Sequence, residues 1–419
     1  MKDVVIVANF IGALDGGKNS RFTYLADKLN KINSMSVEIV SSSFSHDYKK
    51  HRDNIPNIFE YKVTLIDEPG YKKNVCIQRF YSHYIWGINV VKYLKSRKKP
   101  DLVYCAVPSL TGPDKVGEYC KNNKIPFIID VQDLWPEAFQ MVFNVPILSK
   151  IVFAPFKKLA NGVYKKADEI IAVSQTYVDR ALRNNNKAKG FSVFLGTDLS
   201  TFDKNTKISI VVDSKSEYRK QGVIVYDMAP KTLEKRSDEI WVAYCGTLGS
   251  SYDISTAIKA ISKYNKTDKN VKFIVMGRGP KQQEFIDCAK NEGVDVIFTG
   301  DLAYPNMCSI LAHCDININP ISAGAAQSII NKHADYAASG LPVINTQESP
   351  EYRKLVEDYN MGFNCRNNDV EDLFEKIELL VRDPRERKEK GKNARKCAEE
   401  KFDRAKTYDQ IINIILSCM

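Results

Sequence analysis

Residues 4–29 read VVIVANFIGALDGGKNSRFTYLADKL, and this stretch decides the fold class. The apolar run over residues 4–8 is typical of a buried strand, a loop with three glycines follows, and residues 20–29 have the apolar spacing of a helix. A strand, a glycine loop and a helix in this order are how a doubly wound α/β domain begins.

The same pattern begins again at residue 241, where the chain reads WVAYCGTLGSSYDISTAIKAISKY. Short apolar runs follow both openings, as expected for parallel strands that are buried on both faces. The further predicted strands are 37–40, 102–105, 127–130, 170–173, 271–276, 294–298, 316–319 and 342–345. The sequence therefore predicts two Rossmann-like domains, with ligands bound in a cleft between the carboxyl ends of their strands.

The length of 419 residues exceeds what one hydrophobic core usually spans, which agrees with two domains. We predict a first domain over 1–200, a linker or insertion over 201–238 and a second domain over 239–402. Within the linker, two short apolar runs at 208–212 and 223–226 would pair as a small hairpin. Near the end, Asp383 and Pro384 predict a helix start, and 407–416 has apolar spacing suited to packing.

The positive charge is concentrated in the first half of the chain. Residues 1–190 hold 29 Lys and Arg against 18 Asp and Glu, a balance of +11, whereas the remainder holds 32 against 33, a balance of −1. This asymmetry indicates an anionic partner: a membrane surface, a phosphate-bearing substrate or nucleic acid. Nucleic acid is the weakest of these, because no recognised binding module is present. A basic solvated face without a partner is the alternative.

The ten cysteines show neither CxxC pairs nor the Cys/His spacing of a zinc site. Reduced thiols in a cytoplasmic protein are the simplest interpretation. No stretch approaches the ~20 apolar residues that cross a bilayer. The N-terminal residues resemble a first strand rather than a signal peptide.

Two loops of the first domain carry candidate chemistry. Gly16 and Gly17 lie before a helix N-terminus, where backbone N–H groups can approach a phosphate, although a tight strand-to-helix turn needs the same glycines. The second loop reads DVQDLWPE and follows a predicted strand. Its carboxylates Asp130, Asp133 and Glu137 would bind sugar hydroxyls or transfer protons, while Asp133 would alternatively cap the next helix.

An ordered series of motifs in this chain resembles glycosyltransferase family 4, most closely its bacterial surface-polysaccharide members. The motifs are DVQDLWPEAF, KKADEIIAVSQTYVDRAL, FLGTDLSTF, VAYCGTLGSSYDISTAIKA, FIVMGRGPKQQEF and NKHADYAASGLPVINT. The resemblance implies a GT-B fold with the nucleotide-sugar donor in the second domain and the acceptor against the first. It also implies a retaining reaction without a metal ion or other cofactor, and a last helix, 403–419, that returns to the first domain.

The family's Glu-x7-Glu motif falls on Gln327 and Asp335 in this chain. The resemblance implies that Gln327 contacts the transferred sugar, without the usual charge, and that Asp335 binds the donor ribose hydroxyls. Asn331 and Lys332 match the family's Asn-Lys pair, at a helix N-terminus that faces the diphosphate. A solvated lysine and a surface carboxylate are the alternatives for Lys332 and Asp335.

The second domain's glycine loop departs from the wider family, because Thr247 replaces an arginine that grips the diphosphate. We therefore expect the grip to come from backbone N–H groups of residues 246–249, beginning at Gly246, and from Lys332 or Arg278. A guanidinium at Arg278 suits a phosphate well, although a loop salt bridge would also explain it.

Family members often carry a histidine of the first domain near the sugar. Here His83 is the candidate, but we expect it on a helix surface, and we favour Asp133 as the polar catalytic residue of the first-domain wall. Two segments, 81–99 and 141–166, mix apolar and basic residues and would contact an anionic membrane, unless their apolar faces pack into the core.

These observations predict a metal-independent hexosyltransferase that acts on a lipid-linked or oligosaccharide acceptor in capsule, O-antigen, lipopolysaccharide or exopolysaccharide biosynthesis. We expect it in the cytoplasm, peripheral on the inner membrane face. Gln327 and Thr247 leave open a degenerate member that binds sugar nucleotides or serves as a scaffold. A nucleotide-sugar epimerase of GT-B shape is the third possibility.

Overall fold

The computed structural model describes residues 1–15, 20–52, 58–74, 76–140, 146–214, 222–268, 270–324 and 329–419. These residues form two compact units. Unit 1 contains Met1–Phe194 and Lys406–Met419, and unit 2 contains Leu195–Ala405. Within the described residues, no helix is both long and apolar enough to cross a membrane.

Unit 1 is built on a seven-stranded parallel sheet in the order β5-β2-β1-β6-β7-β8-β9. The strands of unit 1 are β1 (Lys2–Ala8), β2 (Met35–Ser42), β3 (Phe44–Ser45), β4 (Lys50–His51), β5 (Lys62–Ile66), β6 (Leu102–Val107), β7 (Phe127–Val131), β8 (Glu169–Ala172) and β9 (Lys189–Ser192). β3 and β4 form a separate pair outside the seven-stranded sheet. Its helices are α1 (Arg21–Asn30), α2 (Ile77–Ser96), α3 (Thr111–Asn123), α4 (Glu137–Gln140), α5 (Pro146–Lys166) and α6 (Gln175–Leu182). The strand order reverses between β1 and β6, the position where ligands bind in doubly wound sheets.

Unit 2 repeats this design in a parallel sheet of order β11-β15-β14-β13-β16-β17-β18. The strands are β10 (Val211–Ser214), β11 (Val223–Val225), β12 (Leu233–Arg236), β13 (Ile240–Cys245), β14 (Val271–Met276), β15 (Val296–Gly300), β16 (Ile316–Asn319), β17 (Val343–Asn345) and β18 (Gly362–Asn364). The helices of unit 2 are α7 (Leu199–Asn205), α8 (Ile254–Asn265), α9 (Gln282–Glu292), α10 (Tyr304–Ala312), α11 (Asn331–Ala338), α12 (Pro350–Asp358), α13 (Val370–Arg382) and α14 (Pro384–Cys397), and the last helix, α15 (Arg404–Ser417), lies almost entirely in unit 1. Its order reverses between β13 and β16.

The predicted fold class is confirmed, and every predicted strand is present with its ends within two residues. The apolar runs form strands because both of their faces are buried: Val4, Val5, Ile6 and Val7 have no exposed surface. The predicted hairpin is wrong. β10 pairs in parallel with β12, and β11 joins the edge of the main sheet beside β15, where Val223 packs against the core.

The last helix, α15, returns to unit 1 as predicted. Tyr408, Ile411 and Ile415 have no exposed surface and belong to the apolar core that also contains β1 and α1. Asp383 caps α14 as expected, because its carboxylate accepts from two N–H groups of the first turn.

A buried ion pair links the first helix of unit 1 to the centre of its sheet. Arg21 opens α1, is 3% exposed, and donates from Nε to Oδ2 of Asp130 at 2.6 Å. Tyr104 donates to the same oxygen at 2.8 Å, and the guanidinium lies 5.0 Å from the ring centre of Tyr408. The prediction that Asp130 binds sugar is therefore wrong, because this carboxylate is enclosed and engaged within the core.

Candidate functional site

Two glycine loops of unit 2 pack against each other at the carboxyl ends of β13 and β14. The N–H of Gly246 donates to the carbonyl of Met276, and that of Leu248 to the carbonyl of Arg278, both at 2.9 Å. Gly277 has a φ of +133°, and a Cβ there would lie 2.1 Å from the oxygen of Gly246. Only glycine permits this approach.

This pairing changes the predicted diphosphate grip. Of the four N–H groups of residues 246–249, those of Gly246 and Leu248 bond to the neighbouring loop. A grip by this loop therefore depends on the N–H groups of Thr247 and Gly249. Thr247 is exposed, as a residue that meets a ligand must be.

Lys332 projects toward the same loop from α11. It is 9% exposed, and its Nζ lies 4.2 Å from the ring centre of Tyr244 and 4.0 Å from that of Tyr252. A Cβ on Gly246 would lie only 2.9 Å from this nitrogen. Among the described residues, Nζ has no hydrogen-bond acceptor, and burial lowers the pKa of Lys332 to about 7. The alternative of a solvated lysine is therefore wrong.

The start of α11 is held in place by a buried histidine. Asn331 is exposed and opens the helix, as predicted. His333 is fully buried, accepts from the N–H of Ile330 at 3.3 Å and stacks on Tyr352 with ring centres 3.4 Å apart. Asn319 lies 3.2 Å from its other ring nitrogen. The positive end of α11 is thus fixed beside the buried amine.

Asp335 lies one turn further along α11 and has an internal partner. Its Oδ1 accepts from the hydroxyl of Tyr304 at 2.8 Å, and that hydroxyl lies 2.8 Å from Oγ1 of Thr197. Burial raises the pKa of Asp335, and the hydrogen bonds from Tyr304 and Thr197 oppose this effect. Asp335 is therefore not a free surface carboxylate, and ribose binding by it stays a prediction.

The other residues predicted to bind the nucleotide-sugar are either exposed or outside the residues that the structure describes. Arg278 is exposed and donates to the backbone carbonyl of Asp227, so its role toward phosphate stays a prediction. Gln327 and the loop residues Gly16 and Gly17 lie outside the described residues.

In unit 1, Asp133 follows β7 at the carboxyl edge of the sheet. Its two oxygens accept from the N–H of Leu134 at 2.9 Å and from Nε1 of Trp135 at 3.1 Å, rather than from an amide of α4. Burial raises the pKa of Asp133, while these two bonds and Arg79 oppose the shift. A carboxyl group with a raised pKa at this edge is suited to proton transfer, which stays a prediction for Asp133. Glu137, from the same loop, pairs with Arg180 at 2.7 Å.

The sequence led us to expect His83 on the surface of its helix, but the structure buries this side chain. It is 2% exposed and stacks against Trp135, with ring centres 6.0 Å apart. Arg79, one turn earlier in α2, lies over the same indole at 4.6 Å and was missed by the sequence analysis. The available signal was spacing, because both residues share the buried face of α2 with Trp86 and Val90.

Part of the segment 81–99, which we expected to contact a membrane, is buried in the core. Trp86, Val90 and Leu94 have at most 1% of their surface exposed and cannot meet a bilayer. The opposite face of α2 does present apolar surface, at Ile77, Tyr81 and Tyr84.

A basic groove of about 900 Å³ lies in unit 1 at the amino ends of β7 and β8. Its lysines are Lys121, Lys124, Lys165, Lys166 and Lys187. A second, adjoining depression adds Lys157 and Lys158 of α5. Seven of the basic residues of the first half thus line one surface of this unit.

We compared the chain with protein families, with curated protein sequences and with solved structures. Residues 227–397, most of unit 2, match the family model described as glycosyl transferases group 1. No curated protein sequence matches the chain. Among solved structures, HepE of Anabaena in complex with UDP has a TM-score of 0.67 at 14% identity over 100% of both chains. WaaG, a glycosyltransferase involved in lipopolysaccharide biosynthesis, has 0.63 at 13% over 98% of this chain and 99% of its own. A putative UDP-N-acetylglucosamine 2-epimerase from Listeria monocytogenes has 0.61 at 12% over 100% and 96%. The chain has the GT-B fold of these structures, and residues 227–397 are similar to the glycosyl transferases of group 1.

Proposed function

We propose that this protein is a retaining, metal-independent hexosyltransferase that moves a sugar from a nucleotide-sugar to a lipid-linked glycan acceptor in surface-polysaccharide biosynthesis. One observation carries the proposal. In the unit that matches the glycosyl transferases, the buried amine of Lys332 lies on two tyrosine rings beside the glycine loop and, among the described residues, has no acceptor. A nucleoside diphosphate supplies the missing anion.

The chemistry follows from where charge develops. As the bond from the sugar C1 to the diphosphate oxygen breaks, that oxygen gains negative charge, and the acceptor hydroxyl adds to C1 while its proton passes to the leaving phosphate. Lys332 and the N–H groups at the start of α11 would stabilise the developing charge without rearranging, because His333 fixes this turn. No metal ion is then required for that role.

The acceptor assignment relies on unit 1. A titratable carboxyl group, Asp133, lies at the carboxyl edge of its sheet, and the surface of the same unit carries the lysine-lined groove. Exposed Ile77, Tyr81 and Tyr84 add apolar surface on α2. Exposed lysines together with exposed aromatic and aliphatic side chains on one unit favour the surface of an anionic membrane, where a lipid-linked acceptor would be found.

The decisive experiment measures acceptor-dependent nucleotide release. Purified protein is supplied with UDP- and GDP-sugars and with lipid-linked glycans extracted from membranes. We expect release with one donor, and loss of release in Lys332→Met and Gly246→Ala. Gly293→Ala is the matched control, because Gly293 also has a positive φ but a Cβ there meets nothing within 4 Å.

The outcomes separate the three functions. Interconversion of donor sugars without acceptor would replace the transferase with an epimerase. Nucleotide binding without turnover on any donor and acceptor would favour the scaffold. The membrane part is tested separately by sedimentation with anionic and neutral vesicles, where absence from both pellets would rule it out.

A further inference from the structure

A second basic site lies in unit 1, remote in sequence from the motifs of unit 2. At the carboxyl edge of its sheet, aromatic and basic side chains from five separate segments come together. We call this group the basic cluster; its members are Phe10, His46, Tyr71, Arg79, His83 and Trp135.

Arg79 and His83 rest on the same three rings. The guanidinium lies 5.6, 5.5 and 4.6 Å from the ring centres of Phe10, Tyr71 and Trp135. The imidazole lies 5.3, 5.6 and 6.0 Å from the same rings. The two basic groups are therefore held side by side on a common aromatic support, which limits their motion.

Two further basic groups adjoin this support. Nδ1 of His46 lies 2.6 Å from the hydroxyl of Tyr71, and its ring centre lies 5.1 Å from that of Phe10. Lys49 lies over Tyr71 at 5.1 Å. His46, Phe10 and Lys49 are only partly buried, so the cluster borders solvent on their side.

The cluster contains a polar atom without a partner. His83 is 2% exposed, and among the described residues its Nε2 has neither a donor nor an acceptor. Leaving a buried ring nitrogen in this state costs free energy that a bound ligand would recover. Because no described residue supplies this hydrogen bond, a bound ligand would be its partner.

Two of the nearby carboxylates, Glu68 and Asp133, already accept hydrogen bonds from other groups. Buried Glu68 accepts from Asn9, Ser42 and Ser82. Asp133 accepts from Leu134 and Trp135, as described above. Asp47 is exposed. None of these carboxylates is a hydrogen-bond partner of Nε2 of His83.

We propose that the basic cluster binds a phosphate group carried by the acceptor. A phosphate has three acceptor oxygens and a charge between −1.5 and −2, which calls for several donors held around it. Arginine suits such a group because its planar fork donates two parallel bonds. His83 and His46 would each add one donor. The term acceptor rests on the proposed function, but the binding of phosphate does not.

The protonation of the imidazoles agrees with this geometry. Burial and the charge of Arg79 lower the pKa of His83 well below its usual value and that of His46 to about 4. Both rings are therefore neutral before binding, and a phosphate oxyanion would draw a proton onto them.

The five histidines of the chain allow both sites to be observed in one experiment. In the full chain labelled with ¹³C at histidine Cε1, His83 and His46 report on the basic cluster, and His333, next to Lys332, reports on unit 2. Inorganic pyrophosphate and inorganic phosphate are titrated after saturation with the nucleotide that shifts His333. We expect His83 and His46 to shift together with one dissociation constant, and His313 to stay unchanged.

Variants assign the binding to the cluster. We expect Arg79→Gln to weaken the pyrophosphate response of His83 by about tenfold or more, because a charge-assisted bidentate contact is lost. The response of His333 to nucleotide should remain, and an unchanged chemical shift of His51, which lies in β4 of unit 1, shows that the variant is folded there. Lys115→Gln is the control; it removes one charge near Tyr84 on the opposite face of α2 and should have no effect.

Two results would overturn the proposal. The first is that neither His83 nor His46 changes its chemical shift when either anion is added. The second is that Lys115→Gln weakens the pyrophosphate response of His83 as much as Arg79→Gln does. If His333 responds to nucleotide in these cases, the proposed function stands without the phosphate site. If His83 responds while His333 is silent, the phosphate site stands without the donor site.

Discussion

Arg21 of unit 1 and Lys332 of unit 2 are both buried cations on a helix, and they are in opposite situations. Arg21 of unit 1 is 3% exposed and is neutralised by Asp130 at 2.6 Å. Lys332 of unit 2 is 9% exposed and contacts tyrosine rings instead of a carboxylate. Burial alone lowers the pKa of both side chains, but Asp130 raises that of Arg21 above its ordinary value, whereas the pKa of Lys332 falls to about 7.

The difference separates a structural charge from a functional one. A buried ion pair with satisfied hydrogen bonds belongs to the fold, and removal of one partner leaves the other charge uncompensated. A buried amine on aromatic rings is costly in the empty protein, and an anionic ligand relieves that cost. By this criterion Lys332 is the candidate for contact with a ligand, and Arg21 is a structural charge.

The largest expected effect comes from replacing each cation by methionine. Arg21→Met should lower the free energy of unfolding by about 3–5 kcal/mol, because Asp130 would remain buried and unpaired. Lys332→Met should instead raise it near pH 7, because methionine removes the cost of burying the amine and no buried partner loses its counter-charge. Denaturant unfolding followed by tryptophan fluorescence measures each variant in its own unit: Trp86 and Trp135 report on unit 1 in a Trp241→Phe background, and Trp241 reports on unit 2 when Trp86 and Trp135 are replaced by Phe.

Lys28→Met is the control for Arg21, because Lys28 lies on the same helix but pairs with Asp409 at the surface. We expect a change of about 0–1 kcal/mol for this exposed pair. Equal losses in Arg21→Met and Lys332→Met would remove the distinction between the two cations.

A second prediction uses pH to sharpen the comparison. Between pH 7 and 10.5, the ordinary pKa of lysine, the unfolded chain holds a proton on Lys332 that the folded chain lacks. The free energy of unfolding should therefore rise with pH in this window, by up to about 1.4 kcal/mol per unit. Nucleotide affinity should fall over the same range, by up to about tenfold per unit, because the anion binds the ammonium form.

Calorimetric titration with UDP and GDP at several pH values measures the second slope, and thermal unfolding measures the first. Both slopes should disappear in Lys332→Met and persist in Arg21→Lys. An affinity that does not change between pH 7 and 9 would show that Lys332 does not carry the charge that meets the nucleotide.

The strands and the loops of unit 2 were predictable because their signals are local. Apolar runs buried on both faces mark each strand, and Gly246, Lys332 and Asp335 lie within continuous motifs. The direction of a side chain was not predictable in the same way. Whether Lys332 meets solvent or Tyr244 depends on a loop 86 residues earlier, which a helical pattern does not report.

Unit 1 shows the other limit. The basic cluster draws Phe10, His46, Tyr71 and Trp135 from separate segments, so no single stretch of sequence identifies it. Asp130 and Asp133 are three residues apart and chemically alike, yet one pairs with Arg21 inside the core and the other lies at the edge. The alternation of side chains along a strand ends at Val131, and the loop beyond it has no comparable rule.

The smallest expected effects concern Asp335 and its partner. If Asp335 binds ribose hydroxyls, Asp335→Asn should weaken UDP binding by about fivefold, equivalent to about one hydrogen bond, and leave pyrophosphate binding in unit 2 unchanged. Lys332→Met should weaken both ligands, because its charge meets the diphosphate. Tyr304→Phe removes the donor 2.8 Å from Asp335 and should cost about 1 kcal/mol of stability, with less change in UDP affinity than Asp335→Asn. Calorimetry with the two ligands separates these cases. Equal weakening of UDP by both variants would show that the Tyr304–Asp335 bond shapes the site, and that the carboxylate itself does not contact the ribose.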